Sequence, residues 1–192
     1  MKKTIMSFAF AAFFGMLANA QQDQSGVYLS QDDFENNKLT YGDNGESETN
    51  KIRFNEFFDK PFITVNQNGK KEQLFKDDIF AYKNKGKIVR TWNFTSYNFL
   101  EKGTIWIYYK DFNVSRGKGI RREKKYFYST SGSSEIIPLT IFNIKKSFPH
   151  NHLFHDFLNA QFRYDNELSA YDGFERKYKI NHILETTISK IE

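Results

Sequence analysis

Phe62-Ile63-Thr64-Val65-Asn66-Gln67-Asn68-Gly69-Lys70-Lys71-Glu72-Gln73-Leu74-Phe75 reads as two β-type runs around an Asn-Gly pair, which tolerates the left-handed backbone of a tight hairpin turn. The pattern recurs downstream. Residues 79–83 and 87–91 flank Asn84-Lys85-Gly86, and residues 97–100 and 104–110 flank Glu101-Lys102-Gly103. Residues 124–129 add a strand expected to pair with 104–110 across a longer loop. Sequential hairpins predict an antiparallel meander. In Thr104-Ile105-Trp106-Ile107-Tyr108-Tyr109, period two puts Ile105, Ile107 and Tyr109 on one face and Trp106 and Tyr108 on the other. Both faces are apolar, so both require cover. Upstream, residues 26–29 read as a short strand. Ser30, with Asp33 three positions later, caps a single helical turn, and the polar, Gly-containing stretch 40–50 is expected to be a loop.

Beyond Pro138, a suitable first-turn residue, the apolar spacing becomes helical. Leu139, Ile141 and Phe142 begin one helix that ends near Phe148-Pro149. Asn151 caps a second, with Leu153, Phe154, Phe157, Leu158 and Phe162 on its apolar face. A third is expected over 167–189, weakened or bent at Gly173. Strands first and helices after predict an α+β fold, an antiparallel sheet of hairpins followed by a C-terminal unit of two to three helices. Residues 21–192 are expected to form one domain, β-rich through 137 and helical from 138.

The N-terminus carries an address. Lys2 and Lys3 precede an apolar run over residues 5–17, followed by Ala18-Asn19-Ala20. This is the layout of a secretory signal peptide cleaved after Ala20. The expected mature chain is exported, periplasmic or secreted, with no transmembrane segment. Setting Lys2 and Lys3 aside leaves 26 of the 28 basic side chains against 23 acidic ones, so the net charge falls from +5 to +3. There is no cysteine, which excludes disulfides, thiol catalysis, Cys-ligated zinc and iron–sulfur clusters. Stability must come from an apolar core; of the chain's 21 Phe, the 17 outside the leader, with 11 Tyr and 2 Trp, supply it.

Four segments are distinctive: Ser25-Gly26-Val27-Tyr28-Leu29 with Asp32-Asp33-Phe34; Leu74-Phe75-Lys76-Asp77-Asp78-Ile79-Phe80-Ala81-Tyr82; Ser147-Phe148-Pro149-His150-Asn151-His152-Leu153-Phe154-His155; and Tyr178-Lys179-Ile180-Asn181-His182. Together they resemble a group of small exported bacterial proteins of unknown function. The resemblance implies an exported protein and carries no catalytic or binding residues.

Two clusters carry chemistry. His150, His152 and His155 lie together, and a helix starting near Asn151 would put His152 and His155 on one face. Imidazoles so spaced can ligate Zn²⁺ or Cu²⁺, with Asp156 as a supporting partner and His182 as a further ligand. The same residues also suit a helix start with local hydrogen bonds. The second cluster is the basic stretch Arg116-Gly117-Lys118-Gly119-Ile120-Arg121-Arg122-Glu123-Lys124-Lys125, expected as a loop beside the aromatic strand that holds Trp106 and Tyr108. Arg116, Lys118, Arg121 and Arg122, with Trp106 and Tyr108, are therefore candidate ligand contacts. A solvated cationic loop that discourages edge pairing is the plainer alternative.

The stretch lacks phosphate-loop spacing, no G-x-S-x-G elbow occurs, and the adjacent Asp77-Asp78 pair suits a turn better than paired acid–base chemistry. The expected function is a non-catalytic envelope or secreted binding protein. Its expected partner is an envelope glycan, anionic lipid or envelope protein rather than nucleic acid. A metal-dependent enzyme or metal carrier built on the histidines, and a structural or assembly protein of the envelope, remain open alternatives.

Overall fold

The computed structural model describes residues 24–43, 51–56, 59–117 and 119–188. The expected leader and residues 44–50 of the expected loop lie outside them. The chain divides into two compact units, one through Ser96 and one from Tyr97. Strands come first and helices cluster at the C-terminal end, the α+β arrangement expected from the change of period. Among the described residues no helix is long and apolar enough to cross a membrane.

In the first unit, β1 (Ser25–Tyr28) lies between β2 (Thr40–Asp43) and β6 (Ala81–Asn84), and β6 pairs with β7 (Lys87–Trp92), all antiparallel. A second antiparallel sheet joins β3 (Lys51–Arg53), β4 (Phe62–Gln67) and β5 (Lys70–Phe75). Val27, Ile52, Phe54, Ile63, Val65, Ile79, Tyr82 and Val89 form the core of this unit. The expected hairpin turns are present. Asn68-Gly69 has φ of 52° and 77°, and Lys85-Gly86 has 47° and 79°, the twin left-handed pair that matches strand twist. The expected cap is also present. Ser30 Oγ accepts from Asp33 N at 3.0 Å and Asp33 accepts from Ser30 N at 3.2 Å around α1 (Gln31–Glu35). That side-chain bond, together with Lys38, holds the Asp33 carboxyl below the usual carboxylate range.

Residues 40–43 correct the expected loop. They form β2, because buried β1 needs a hydrogen-bond partner on its second edge. The register shifts between Ser25 and Val27, and Tyr41 opposite has φ of 56°.

In the second unit, β9 (Trp106–Arg116) pairs with β8 (Thr95–Lys102) and β10 (Gly119–Ser129), and β10 with β11 (Ile137–Pro138). Ile105, Ile107 and Tyr128 share one core with Leu139, Ile144, Phe154, Leu158, Phe162, Leu168, Ile180 and Leu184. These come from the helical segments α2 (Ile141–Ser147), α3 (His152–Gln161) and α4 (Lys179–Ile188) and their connections. Asn151 caps α3 as expected, accepting from Phe154 N at 3.0 Å. Pro138 ends a short strand rather than opening a helix, and Thr140 caps α2 through Asn143 N at 3.1 Å.

The expected third helix is broken into three parts: a 3₁₀ turn (Asp165–Ser169), a hairpin of β12 (Tyr171–Asp172) and β13 (Lys177–Tyr178), and α4. Asp172 is the reason. Its Oδ1 accepts from Phe174 N at 2.9 Å and Glu175 N at 3.2 Å, offering the backbone a turn in place of a helix. Tyr171 and Tyr178 then close the hairpin edge to face, 5.3 Å apart.

Asn181, fully buried on α4, ties this helix to the β8–β9 turn. Its Oδ1 accepts from Ile105 N at 2.9 Å, and its Nδ2 donates to Ile105 O at 3.0 Å and Glu101 Oε1 at 2.6 Å. Glu101 Oε2 accepts from Tyr178 N at 2.8 Å. A Cβ on Gly103 would stand 2.6 Å from Asn181 Cγ, so this close approach requires glycine. Asn181→Ala leaves the Ile105 amide without its partner and is expected to destabilise the fold by about 2–3 kcal/mol in chemical denaturation. Gly103→Ala should also lower stability, because the pinned amide cannot retreat. Burial, with Tyr126 and Glu101 nearby, pushes the Tyr178 hydroxyl up to about 12. A raised folded value means this contribution is complete below the ordinary tyrosine range near pH ~10 and is lost as pH rises through about 12. Tyrosinate absorbance should show that step in the native chain and lack it in Tyr178→Phe.

Candidate functional site

The basic stretch is a strand rather than a loop. Register between β9 and β10 is unbroken from Ser129↔Trp106 to Gly119↔Arg116, with Gly117 at φ 61° in the turn. The ladder extends because aromatic and β-branched residues continue into it (Phe112, Val114, Ile120), and exposed cations on a solvated ribbon cost little. The result is a pair of eleven-residue strands, joined by β8 and β11 at its base and two-stranded from Lys110 and Lys125 outward. Residues 106–129 hold seven Lys or Arg against Asp111 and Glu123, so their net charge equals the +5 of the whole chain.

The base and the distal part of this ribbon differ. At the base, Trp106 and Tyr108 are on one face, as period two requires, but they are 5% and 0% exposed. Tyr108 Oη shares a hydrogen bond with Ser129 Oγ at 2.9 Å, and Phe99 packs against both rings with centroids 5.7 Å away. These two candidate contacts are packing residues at the base. Tyr97 on Phe127 at 5.0 Å and Phe112 on Phe127 at 6.3 Å continue the aromatic row.

Farther out, lysines lie over ring faces: Lys124 is 4.2 Å from the Tyr109 centroid, Lys125 is 5.3 Å from that of Phe112, and Lys110 is 5.6 Å from the same ring. Arg121 and Arg122 are exposed on opposite faces, across from Val114 and Asn113. None of Arg121, Arg122, Lys124 and Lys125 has a salt bridge among the described residues. Arg116 ends β9, and Lys118 lies outside the described residues. The structure thus brings Arg121 and Arg122 onto one ribbon with Lys110, Lys124 and Lys125. Lys110 had no distinguishing signal except its place on the strand opposite the basic run.

The histidines are arranged differently. His150 is exposed in the turn before α3 and His152 is its exposed first residue. His155 is half-buried, with Nε2 2.9 Å from Phe148 O, and its ring centroid is 6.1 Å from that of His152. His152 and His155 do share a face. Among the described residues no group of three or more His, Asp or Glu is gathered to hold a metal ion.

The sequence reading missed a cleft of about 240 Å³ in the first unit, lined by Ser30, Lys76, Asp77, Asp78, Arg90 and Trp92 among others. Two buried cations sit there. Lys76 is ion-paired with Asp59 at 2.8 Å, and the Arg90 guanidinium lies 3.7 Å over the Phe80 ring while Nη1 donates to the Phe80 and Thr91 carbonyls. Both serve the fold. Asp78 N donates to Phe75 O at 3.1 Å, in keeping with the turn role expected for Asp77-Asp78. Set against known protein families, characterised proteins and solved structures, the chain matches none of them.

His155 owes its place to the Phe148 carbonyl. His155→Ala is expected to cost about 1 kcal/mol of stability, and the loss measured by denaturation should be equal with zinc present and with a chelator.

Proposed function

We propose that the protein is a non-catalytic binding protein of the cell envelope or exterior, and that the β9–β10 ribbon is its contact with an anionic partner. The observation that carries this reading is the ribbon's charge. Four exposed cations without ion-pair partners among the described residues stand on one element, anchored at its base by a buried aromatic row. Cations that serve only solubility are usually interspersed with acids. Here the basic side chains outnumber the acids seven to two over residues 106–129. The leader pattern and the resemblance to exported bacterial proteins support the location. An envelope glycan or an anionic lipid headgroup supplies the complementary charge.

The facing pair His152 and His155 favours a second reading, a metal carrier or metal-dependent enzyme. Stoichiometric Zn²⁺ or Cu²⁺ uptake abolished in His152→Ala/His155→Ala would support it over the first.

The ribbon reading is tested with the chain lacking residues 1–20, using a sulfated polysaccharide and vesicles containing anionic lipid as probes. Binding to at least one should weaken steadily with added salt. Arg121→Gln/Arg122→Gln/Lys125→Gln should weaken it about 100-fold at low salt, since each cation near an anionic surface contributes about 1 kcal/mol. Binding that ignores both salt and the triple substitution would remove the ribbon from the function.

A further inference from the structure

The outer face of the β3–β4–β5 sheet carries a second, separate arrangement. Lys51, Asn66 and Lys71 are directly opposite one another across the three strands, and Arg53, Thr64 and Gln73 form the next rung. Ile52, Ile63 and Val65, on the alternate positions, face the core. Neighbouring strands stand about 4.8 Å apart, so Lys51 and Lys71 start only about 10 Å apart, and their side chains can converge over Asn66. Lys51, Arg53, Thr64, Asn66 and Lys71 line a groove of about 300 Å³.

The chemistry of this groove is one-sided. Among the described residues, three cations, a hydroxyl and an amide line it, with no carboxylate and no apolar side chain. Lysines flanking one another across a sheet repel, and none of the three cations has an ion-pair partner among the described residues. The Asn66 Oδ1 is buried and has no hydrogen-bond partner among the described residues. The Arg90 cleft differs on each count, since its cations are already engaged and two aspartates share its lining.

We infer that this groove binds a phosphate monoester carried on a hydrophilic body, a phosphorylated saccharide. A phosphate monoester brings a charge of about −2 at neutral pH and three acceptor oxygens, which suits three cations better than a single carboxylate does. The groove is several times the size of one phosphate group, so a further polar moiety fits with it. A lipid tail would find no apolar side chain among the described lining residues, only the methylenes of the lysines and the arginine. On the same face, the next rung is the Phe62–Phe75 pair, edge to face at 6.4 Å, with Phe75 46% exposed. Its ring offers a flat apolar surface at the end of the groove for one face of a sugar ring.

The test is an NMR titration of the chain lacking residues 1–20 with inorganic phosphate, glucose 6-phosphate, glucuronate and glucose. Phosphate should shift the amide signals of Lys51, Arg53, Thr64, Asn66 and Lys71. Glucose 6-phosphate should bind at least tenfold more tightly at the same residues, and glucose should leave them unmoved. Lys51→Gln/Lys71→Gln, both at exposed positions, should keep the native spectrum and weaken glucose 6-phosphate at least tenfold. Arg121→Gln/Arg122→Gln on the ribbon should not change its affinity, which separates this site from the ribbon reading. No shift at these residues, or shifts that survive Lys51→Gln/Lys71→Gln, would overturn the site and mark any phosphate as an adventitious ion only. Glucuronate binding as tightly as glucose 6-phosphate would overturn the choice of phosphate.

Discussion

The second unit depends on a buried amide. Asn181 sits on α4, 76 residues along the chain from Ile105, and presents both a donor and an acceptor to the Ile105 backbone. A peptide group at the end of a strand pair has no ladder partner of its own, and burial without one would cost as much as a lost hydrogen bond. The side-chain amide copies the missing rung. Glu101 completes the arrangement by taking the second Asn181 proton on one oxygen and the Tyr178 amide on the other. Sheet turn, hairpin and helix are thereby joined at one point, and the glycine at 103 follows from the room the amide needs. Ile105, Ile107, Ile180 and Leu184 can then share a core.

That anchoring explains how the ribbon can be stiff at one end and solvated at the other. Trp106 and Tyr108 lie next to the anchored turn and are buried, while residues 111–115 of β9 alternate between exposed and half-buried and residues 119–125 of β10 are all exposed. Ladder hydrogen bonds satisfy the inward-facing backbone groups along the ribbon, and water can take the outward-facing ones. The distal strands therefore need no core beneath them, and their side chains are free to be chosen for charge. Lysine ammonium groups lie over the Tyr109 and Phe112 rings, where the negative ring faces attract them. An aromatic row and a cationic ribbon are thus one device, with packing at its base and charge beyond.

What could be read in advance was local. The Asn68-Gly69 and Lys85-Gly86 turns, the Ser30–Asp33 box and the Asn151 cap are each decided within four residues by sterics and short hydrogen bonds. The Asn93-Phe94 turn, left-handed at both positions with φ of 47° and 59°, gave no glycine to read. The 167–189 stretch failed for a related reason: its apolar spacing was helical, but Asp172 supplied a competing turn whose advantage depends on the Tyr171–Tyr178 pairing. Of the candidate contacts, Arg121 and Arg122 were legible as an exposed basic pair, whereas the burial of Trp106 and Tyr108 was not, because strand alternation assigns a face without saying what covers it. The row of Lys51, Asn66 and Lys71 was invisible, since no local pattern aligns residues from three strands.

By itself the sequence determined the Asn68-Gly69 and Lys85-Gly86 turns, the Ser30 and Asn151 caps, the order of strands before helices, the absence of cysteine chemistry and the concentration of positive charge near residue 120. All of these are set by residue type and short-range geometry. Only the tertiary structure decided that the basic stretch extends as a ribbon, that Asn181 closes the β8–β9 turn, and that two lysines and an arginine meet above β4. Those outcomes depend on register between strands and on contacts across as many as 80 residues of chain. The free energy of such contacts comes from burying one segment against another, so no segment alone can encode it.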